Sequence, residues 1–186
     1  MQLPEQIETP RIILKHPTKP TFQLAEELYE VVDKSRENLC LWLAWVNETN
    51  SPEDEFTQYL VRCQKRWEKG LGFNYLIYHK ETNKILGTIC LFNVEEKIQS
   101  GEIGFWLSDT ATGYGYMHEA VCALEKVAFE NGFNRIVIKN EILNTRSANV
   151  AKRCGYILEG ILRQDFWNEH EKCLSDINVW SKLKSD

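Results

Sequence analysis

The chain has no apolar run approaching the roughly 18 residues that cross a bilayer, and it has no CxxC pair, no HxxxH spacing and no Cys/His cluster. Basic charge is not in excess either: 22 Lys and Arg stand against 27 Asp and Glu, a formal net charge of −5. These absences exclude whole classes. Without a basic surplus, general nucleic-acid binding by phosphate neutralisation has no support. Nothing in the composition calls for a membrane. The stretch 1–9 carries acids and lacks the basic start and apolar core of a signal peptide, so a cytoplasmic location is expected. Cys40, Cys63, Cys90, Cys122, Cys154 and Cys173 are widely spaced, most of them within apolar patterns. They read as buried thiols in a reducing compartment, not as a disulfide framework. With no cluster of metal-ligand spacing, no metal is expected.

What is present is a core. Of 186 residues, 43% are hydrophobic and 11% aromatic, with six Trp. That composition excludes disorder and suits one domain over 1–186. No repeat, low-complexity run or linker interrupts it. A short strand is expected at 11–15, and an amphipathic helix over 21–34 from Phe22, Ala25, Leu28, Tyr29 and Val32. The aromatic-rich 36–46 reads as a second short helix running into a loop. Ser51, Pro52 and the acids Glu53 and Asp54 mark a further helix start, followed by a stripe of Phe56, Tyr59, Leu60, Cys63 and Trp67 that stops at Gly70.

A strand-rich block follows. The runs 73–78 and 85–93 flank a turn composition and should pair as a hairpin. A third strand over 99–107 alternates Ile103, Phe105 and Leu107 with Glu102, Gly104 and Trp106. Beyond a glycine-bearing loop come a helix ended by Gly132, a strand at 135–139, a helix over 144–154 with Asn144 as N-cap, and strands at 156–165 and 174–183. A meander followed by βαβ-like units predicts a mixed α/β (α+β) sheet flanked by helices.

The loop carries chemistry. In Thr110-Ala-Thr-Gly-Tyr-Gly-Tyr-Met-His, Gly113 and Gly115 let backbone N–H groups converge with no Cβ in the way. Added to the unpaired amides of the following helix's first turn, these donors form a pocket for a phosphate or pyrophosphate. The segment is neither a Walker loop nor a Rossmann fingerprint.

Taken with its surroundings, the loop resembles that of the GNAT acetyltransferases. The residues that carry the likeness are Glu102-Ile-Gly-Phe-Trp-Leu, the GxG loop, the Glu119-Ala helix, and Asn144-Thr-Arg-Ser-Ala-Asn-Val-Ala-Lys-Arg-Cys-Gly-Tyr. Arg36-Glu-Asn-Leu with Trp42-Leu-Ala-Trp45-Val, Glu159-Gly-Ile-Leu-Arg and Asp176-Ile-Asn-Val-Trp-Ser extend it to the RimJ/RimL branch, the N-terminal acetyltransferases of ribosomal proteins. One departure is Thr110, where the superfamily carries Gln or Arg.

The resemblance implies a mostly antiparallel sheet splayed in its middle, with acetyl-CoA as co-substrate and direct acetyl transfer to a primary amine. It implies that amides around Trp106 and Leu107 hold the thioester carbonyl. Gly113, Tyr114, Gly115, Tyr116, Met117 and His118 would form the phosphate cradle. Asn144 and Ser147 would face the cofactor, with Ser147 helping the leaving thiolate. Two carboxylates compete for the base: Glu102, whose face borders the slot, and Asp165 on the strand after Glu159-Gly160. Cys154 and Cys173 show no His or Asn partner in sequence, so a covalent acyl-enzyme is not expected.

The expected acceptor is a ribosomal protein N-terminus beginning with Ser or Ala. Trp42 and Trp45, three apart on the expected short helix, would shape one wall of its slot with the acids of 48–55 nearby. A small-amine acceptor (polyamine, amino sugar or toxin) and an inactive CoA-binding protein remain alternatives. A homodimer is compatible with the sequence but not required by it.

Overall fold

Alternation along the strands decides which helices cover which face of the sheet. The computed structural model describes residues 1–48 and 55–186. In chain order these form β1 (Gln6–Glu8), β2 (Ile12–Lys15), α1 (Phe22–Asp33), α2 (Arg36–Leu39), α3 (Trp45–Glu48), α4 (Thr57–Glu68), β3 (Gly72–His79), β4 (Ile85–Glu95) and β5 (Ser100–Leu107). Then come α5 (Tyr116–Glu130), β6 (Arg135–Glu141), α6 (Thr145–Arg153), β7 (Ile157–Asn168) and β8 (Cys173–Leu183). The expected helix start at Ser51–Asp54 lies outside the described residues.

The strands make one eight-stranded sheet in the order β1-β2-β3-β4-β5-β6-β8-β7. All ladders are antiparallel except β5–β6. In β3, Phe73, Tyr75 and Ile77 join one core cluster with Met117, Ala120, Val121, Leu124 and Ala128 of α5. Leu76 and Tyr78, one step out of phase, join a second cluster with α1 and α4 through Ala25, Leu28, Val32 and Leu60. The period of two therefore sends successive side chains to opposite helical layers. β5 follows the same rule: Ile103, Phe105 and Leu107 belong to the α5 side, Trp106 to the other.

Helix ends agree with their local chemistry. Thr21 caps α1 by accepting the Leu24 N–H at 3.2 Å. Gly132, at φ +97°, closes α5, and the Phe133 N–H reaches back to the Ala128 carbonyl at 3.1 Å. Among the described residues, no helix is long and apolar enough to cross a membrane.

Two expectations need correcting. Trp42 and Trp45 do not stand on one short helix: α2 ends at Leu39, Trp42 sits in the turn that follows, its N–H on the Leu39 carbonyl at 3.1 Å, and Trp45 opens α3. Trp42 and Trp45 therefore share no helix face. The cysteines are all free thiols, but only Cys63 and Cys154 are buried, and Cys173 is exposed.

Candidate active site

Between β5 and β6 the sheet opens. Their parallel ladder holds only three pairs, Ser100 with Arg135, Gly101 with Ile136 and Glu102 with Val137. Yet β5 continues to Leu107 against β4, and β6 continues to Glu141 against β8. Past Glu102 one edge of β5 has no strand partner among the described residues, and a cleft of about 1090 Å³ occupies the gap.

Which backbone groups face that cleft follows from alternation. The Ser108 N–H donates to the Leu86 carbonyl at 2.8 Å, so Ser108, and with it Trp106, turns its polar backbone toward β4. The amides and carbonyls of Leu107, Phe105 and Ile103 then face the open side. Of the two amides nominated from the sequence, Leu107's looks into the slot and Trp106's into the ladder. An open strand edge is a template for another hydrogen-bonding chain, including one built of amide units.

Gly87 makes this edge close to β4. A Cβ on Gly87 would lie 2.1 Å from the Trp106 carbonyl oxygen and 2.8 Å from the Leu107 Cα. Both are backbone atoms and cannot rotate away. Gly87→Ala should therefore push out the end of β5, lower stability by about 1–3 kcal/mol and cut turnover disproportionately. Thermal unfolding and steady-state rates on the same sample read the two effects.

The glycine loop closes one end of the cleft. Gly113 (φ +86°) and Gly115 (φ +82°) are both left-handed, the conformation that costs other residues about 1–2 kcal/mol. Gly115 caps α5 without a side-chain bond, and the first intrahelical bond is Glu119 N–H to the Gly115 carbonyl. The amides of Tyr116, Met117 and His118 thus have no partner within the helix. Their partial positive charge makes an anion site. A Cβ at Gly113 would meet nothing within 4 Å, whereas one at Gly115 would point at the Arg11 guanidinium, 3.6 Å away.

Arg11 clamps the loop from behind. It donates to the Tyr114 carbonyl at 2.9 Å and to Glu119 Oε2 at 2.7 Å, while the Thr9 hydroxyl donates to Glu119 Oε1 at 2.6 Å. Burial works to raise the Glu119 pKa, but the Thr9 hydroxyl, the Arg11 N–H and the guanidinium together hold it below the usual value. Tyr114 is 64% exposed and its side chain lies outside the cleft, while Tyr116, Met117 and His118 line it. Thr110, the departure from the superfamily pattern, is exposed and contacts Ser108 instead of lining the cleft.

Polar side chains gather at the splay. Glu102 stands on the last β5–β6 pair, with Lys139 Nζ at 3.3 Å and Asn93 Nδ2 at 3.3 Å. Asp165 is exposed and lines the cleft from an irregular stretch of β7, where the register with β8 shifts between Leu162 and Phe166. Asn144 lines the cleft as the N-cap of α6, its Oδ1 accepting the Ser147 N–H at 3.0 Å, and Ser147 lines it too. Trp42 lines the cleft. Trp45 does not, packing instead beside Phe56 and Trp106.

The sequence reading missed several groups. Glu141 is buried yet borders the cleft, with both carboxylate oxygens accepting from Asn168 Nδ2 at 2.8 and 2.9 Å. Arg146, Arg153 and Lys139 add cations to the lining. The one available signal was Lys139-Asn140-Glu141, a polar run ending a strand beside the slot. Glu159, on the strand that carries Asp165, pairs with Arg135, which holds its carboxyl down at about 2, with Ser181 assisting. The sequence also shows no Cys/His cluster, but the fold makes one: His118 and Cys154 each have an atom 3.8 Å from Cys122 Sγ.

Comparison with known proteins agrees with this geometry. Residues 11–157 match the family described as an acetyltransferase (GNAT) domain. The ribosomal-protein-serine acetyltransferase of Escherichia coli (strain K12) is 30% identical over 160 residues, covering 84% of this chain and 85% of that protein. The microcin C7 self-immunity acetyltransferase MccE, solved in complex with acetyl-CoA and AMP, superposes with a TM-score of 0.85 at 25% identity, over 94% of this chain and 93% of that one. RimL, the ribosomal L7/L12 alpha-N-protein acetyltransferase solved with coenzyme A, shares the fold at a TM-score of 0.88 and 24% identity, over 98% and 100%. With a family match across most of its length, and a sheet that opens beside a glycine-capped helix, this chain belongs to the GNAT acetyltransferases, enzymes that transfer an acetyl group from acetyl-CoA.

Proposed function

We propose that this enzyme, acting as a single 186-residue domain in the cytoplasm, acetylates the N-terminal α-amine of a ribosomal protein that begins with Ser or Ala. The observation that carries the reading is the likeness to the ribosomal-protein-serine acetyltransferase over more than four fifths of both chains. The cleft fits the donor: three amides at the start of α5 that have no partner within the helix suit its phosphates, and the open edge of β5 suits its amide-bearing arm. Gly113, with open space where its side chain would be, leaves room for the approach.

The chemistry assigned to these residues is direct aminolysis. The acceptor amine must be neutral to attack, and a free α-amine with a pKa near 8 is mostly protonated at neutral pH. Glu102, at the vertex of the splay, is positioned to take that proton directly or through water, with Asp165 as the alternative. The Leu107 amide stabilises the oxyanion as the amine adds to the thioester carbonyl. When the C–S bond breaks, the attacking nitrogen gives up its second proton, and the Ser147 hydroxyl relays it to the departing thiolate, ending as a neutral hydroxyl.

One observation favours a second reading. Glu102, Asp109, Glu141 and Asp165 all line one cavity, as a polyamine site would require. However, Glu102 is engaged by Lys139, Asn38 Nδ2 reaches Asp109 at 2.8 Å, and Asn168 holds Glu141. These pairings leave less acid for a polycation and favour the peptide end. Trp42, at the turn beside the cleft, forms part of the acceptor wall; Glu53 and Asp54, expected nearby, lie outside the described residues.

The test is a panel of acceptors. Short peptides starting with Ser or Ala should be acetylated at least ~10-fold faster than the same peptides blocked at the N-terminus but containing lysine. Equal rates, or a preference for polyamines over every peptide, would overturn the assignment. No transfer to any amine would leave a protein that only binds CoA.

A further inference from the structure

A second constellation lies where the end of α6 meets α5. We propose that His118, Cys122 and Cys154 form a binding site for a thiophilic d10 cation, Zn2+ foremost. His118 and Cys122 are four residues apart on α5, so their side chains share one face. Cys154, the C-cap of α6, is delivered to that face by the packing of α6 on α5.

The distances match the edges of a coordination tetrahedron. Zn–S bonds of about 2.3 Å and Zn–N bonds of about 2.0 Å place two sulfurs about 3.8 Å apart and sulfur and nitrogen about 3.6 Å apart. Here Cys122 Sγ lies 3.8 Å from Cys154 Sγ and 3.8 Å from His118 Nε2. All three donor atoms lie within 4.8 Å of one another, so only one edge has to shorten. Two thiolates and an imidazole select Zn2+ over hard cations such as Mg2+ and Ca2+.

The surroundings allow it. Lys182 Nζ, the nearby ammonium, already pairs with Glu125 at 2.7 Å and donates to the Cys154 carbonyl at 2.8 Å, so its charge is compensated. His118 Nε2 contacts the Arg153 carbonyl at 3.2 Å, a contact the metal would replace. Half-buried Cys122 and cleft-lining His118 give the ion a route in, and the three ligands leave a fourth position for water. A disulfide between the two cysteines is the competing use of the cluster, but it gives no role to the imidazole nitrogen beside Cys122. An ion held here ties α5, whose first turn binds the donor's phosphates, to the end of α6.

The test is anaerobic titration of the fully reduced, full-length protein with Zn2+ against a chromophoric chelator. One ion per chain should bind, and Cys122→Ser or His118→Ala should each weaken binding by ~100-fold or more, while Cys173→Ser changes nothing. Loading with Co2+ should give a thiolate-to-metal charge-transfer band in the near ultraviolet that falls in Cys122→Ser. Cys154 is buried and its variant could misfold, so the half-buried Cys122 and His118 carry the test, with far-UV circular dichroism as the folding check. Binding unaltered in Cys122→Ser, or a Co2+ spectrum without the thiolate band, would overturn the proposal. So would a reduced protein that binds no Zn2+ yet forms a Cys122–Cys154 disulfide under mild peroxide.

Discussion

Replacing Gly115 with Trp should leave the protein folded and weaken acetyl-CoA binding by ~100-fold or more. Gly115 caps α5 at φ +82°, where a non-glycine residue carries about 1–2 kcal/mol of strain. Its side chain would grow toward Arg11, 3.6 Å from the new Cβ, and displace the guanidinium that holds the Tyr114 carbonyl and Glu119. The strain and the lost clamp act on the same object, the direction of the Tyr116, Met117 and His118 amides. An anion held by several convergent dipoles loses most of its binding when they diverge. Gly113→Ala separates the causes. Its Cβ meets no protein atom within 4 Å and leaves the Arg11 clamp in place, so only backbone strain and one methyl in the donor's approach remain, and the cost should be on the order of tenfold in affinity. Calorimetric titration with acetyl-CoA, paired with a thermal melt, measures both variants. Unchanged affinity in folded Gly115→Trp would show that the phosphates bind elsewhere.

Glu102→Gln should lower kcat about 100-fold near pH 7 and recover part of that loss as the pH rises. The sign follows from the acceptor. Below its pKa near 8 an α-amine is mainly ammonium and needs a base; above it, the amine loses its own proton and the base matters less. Glu102 sits where the β5–β6 ladder ends, at the apex of the slot, with its carboxylate 3.3 Å from Lys139 Nζ. Gln keeps the shape and the hydrogen bond to Asn93 while removing the proton acceptor. Asp165→Asn is the comparison, since Asp165 lines the same cleft from β7. A wild-type pH–rate profile in both variants would mean that neither carboxylate is the base and that solvent takes the proton.

Much of this protein could be read from its sequence because the signals are local. Helical spacing in Phe22–Val32, the meander from β3 to β5, Asn144 as an N-cap and the GxG turn depend on residues a few positions apart. The short-range physics of propensity, capping and glycine conformation fixes such features before the chain folds. β1 escaped notice because three residues are too few to show alternation. That Trp42 and Trp45 fall on different elements escaped because an aromatic-rich run does not show where a short helix stops and the next begins.

What the tertiary structure alone decided is where distant residues meet. Arg11 reaches Glu119 across 108 positions and Asn168 reaches Glu141 across 27, while Cys154 arrives beside Cys122 from another helix. None of these pairs has a spacing that a pattern could reveal. The slot itself is of the same kind: β5 and β6 carry ordinary strand sequences, and the cleft exists because their ladder stops at Glu102 and Val137 while each strand continues against a different neighbour. Strand character is set by the side chains of one segment, whereas divergence is set by the twist and packing of the whole sheet, so the chain could announce its chemistry but only the fold could open the place where it happens.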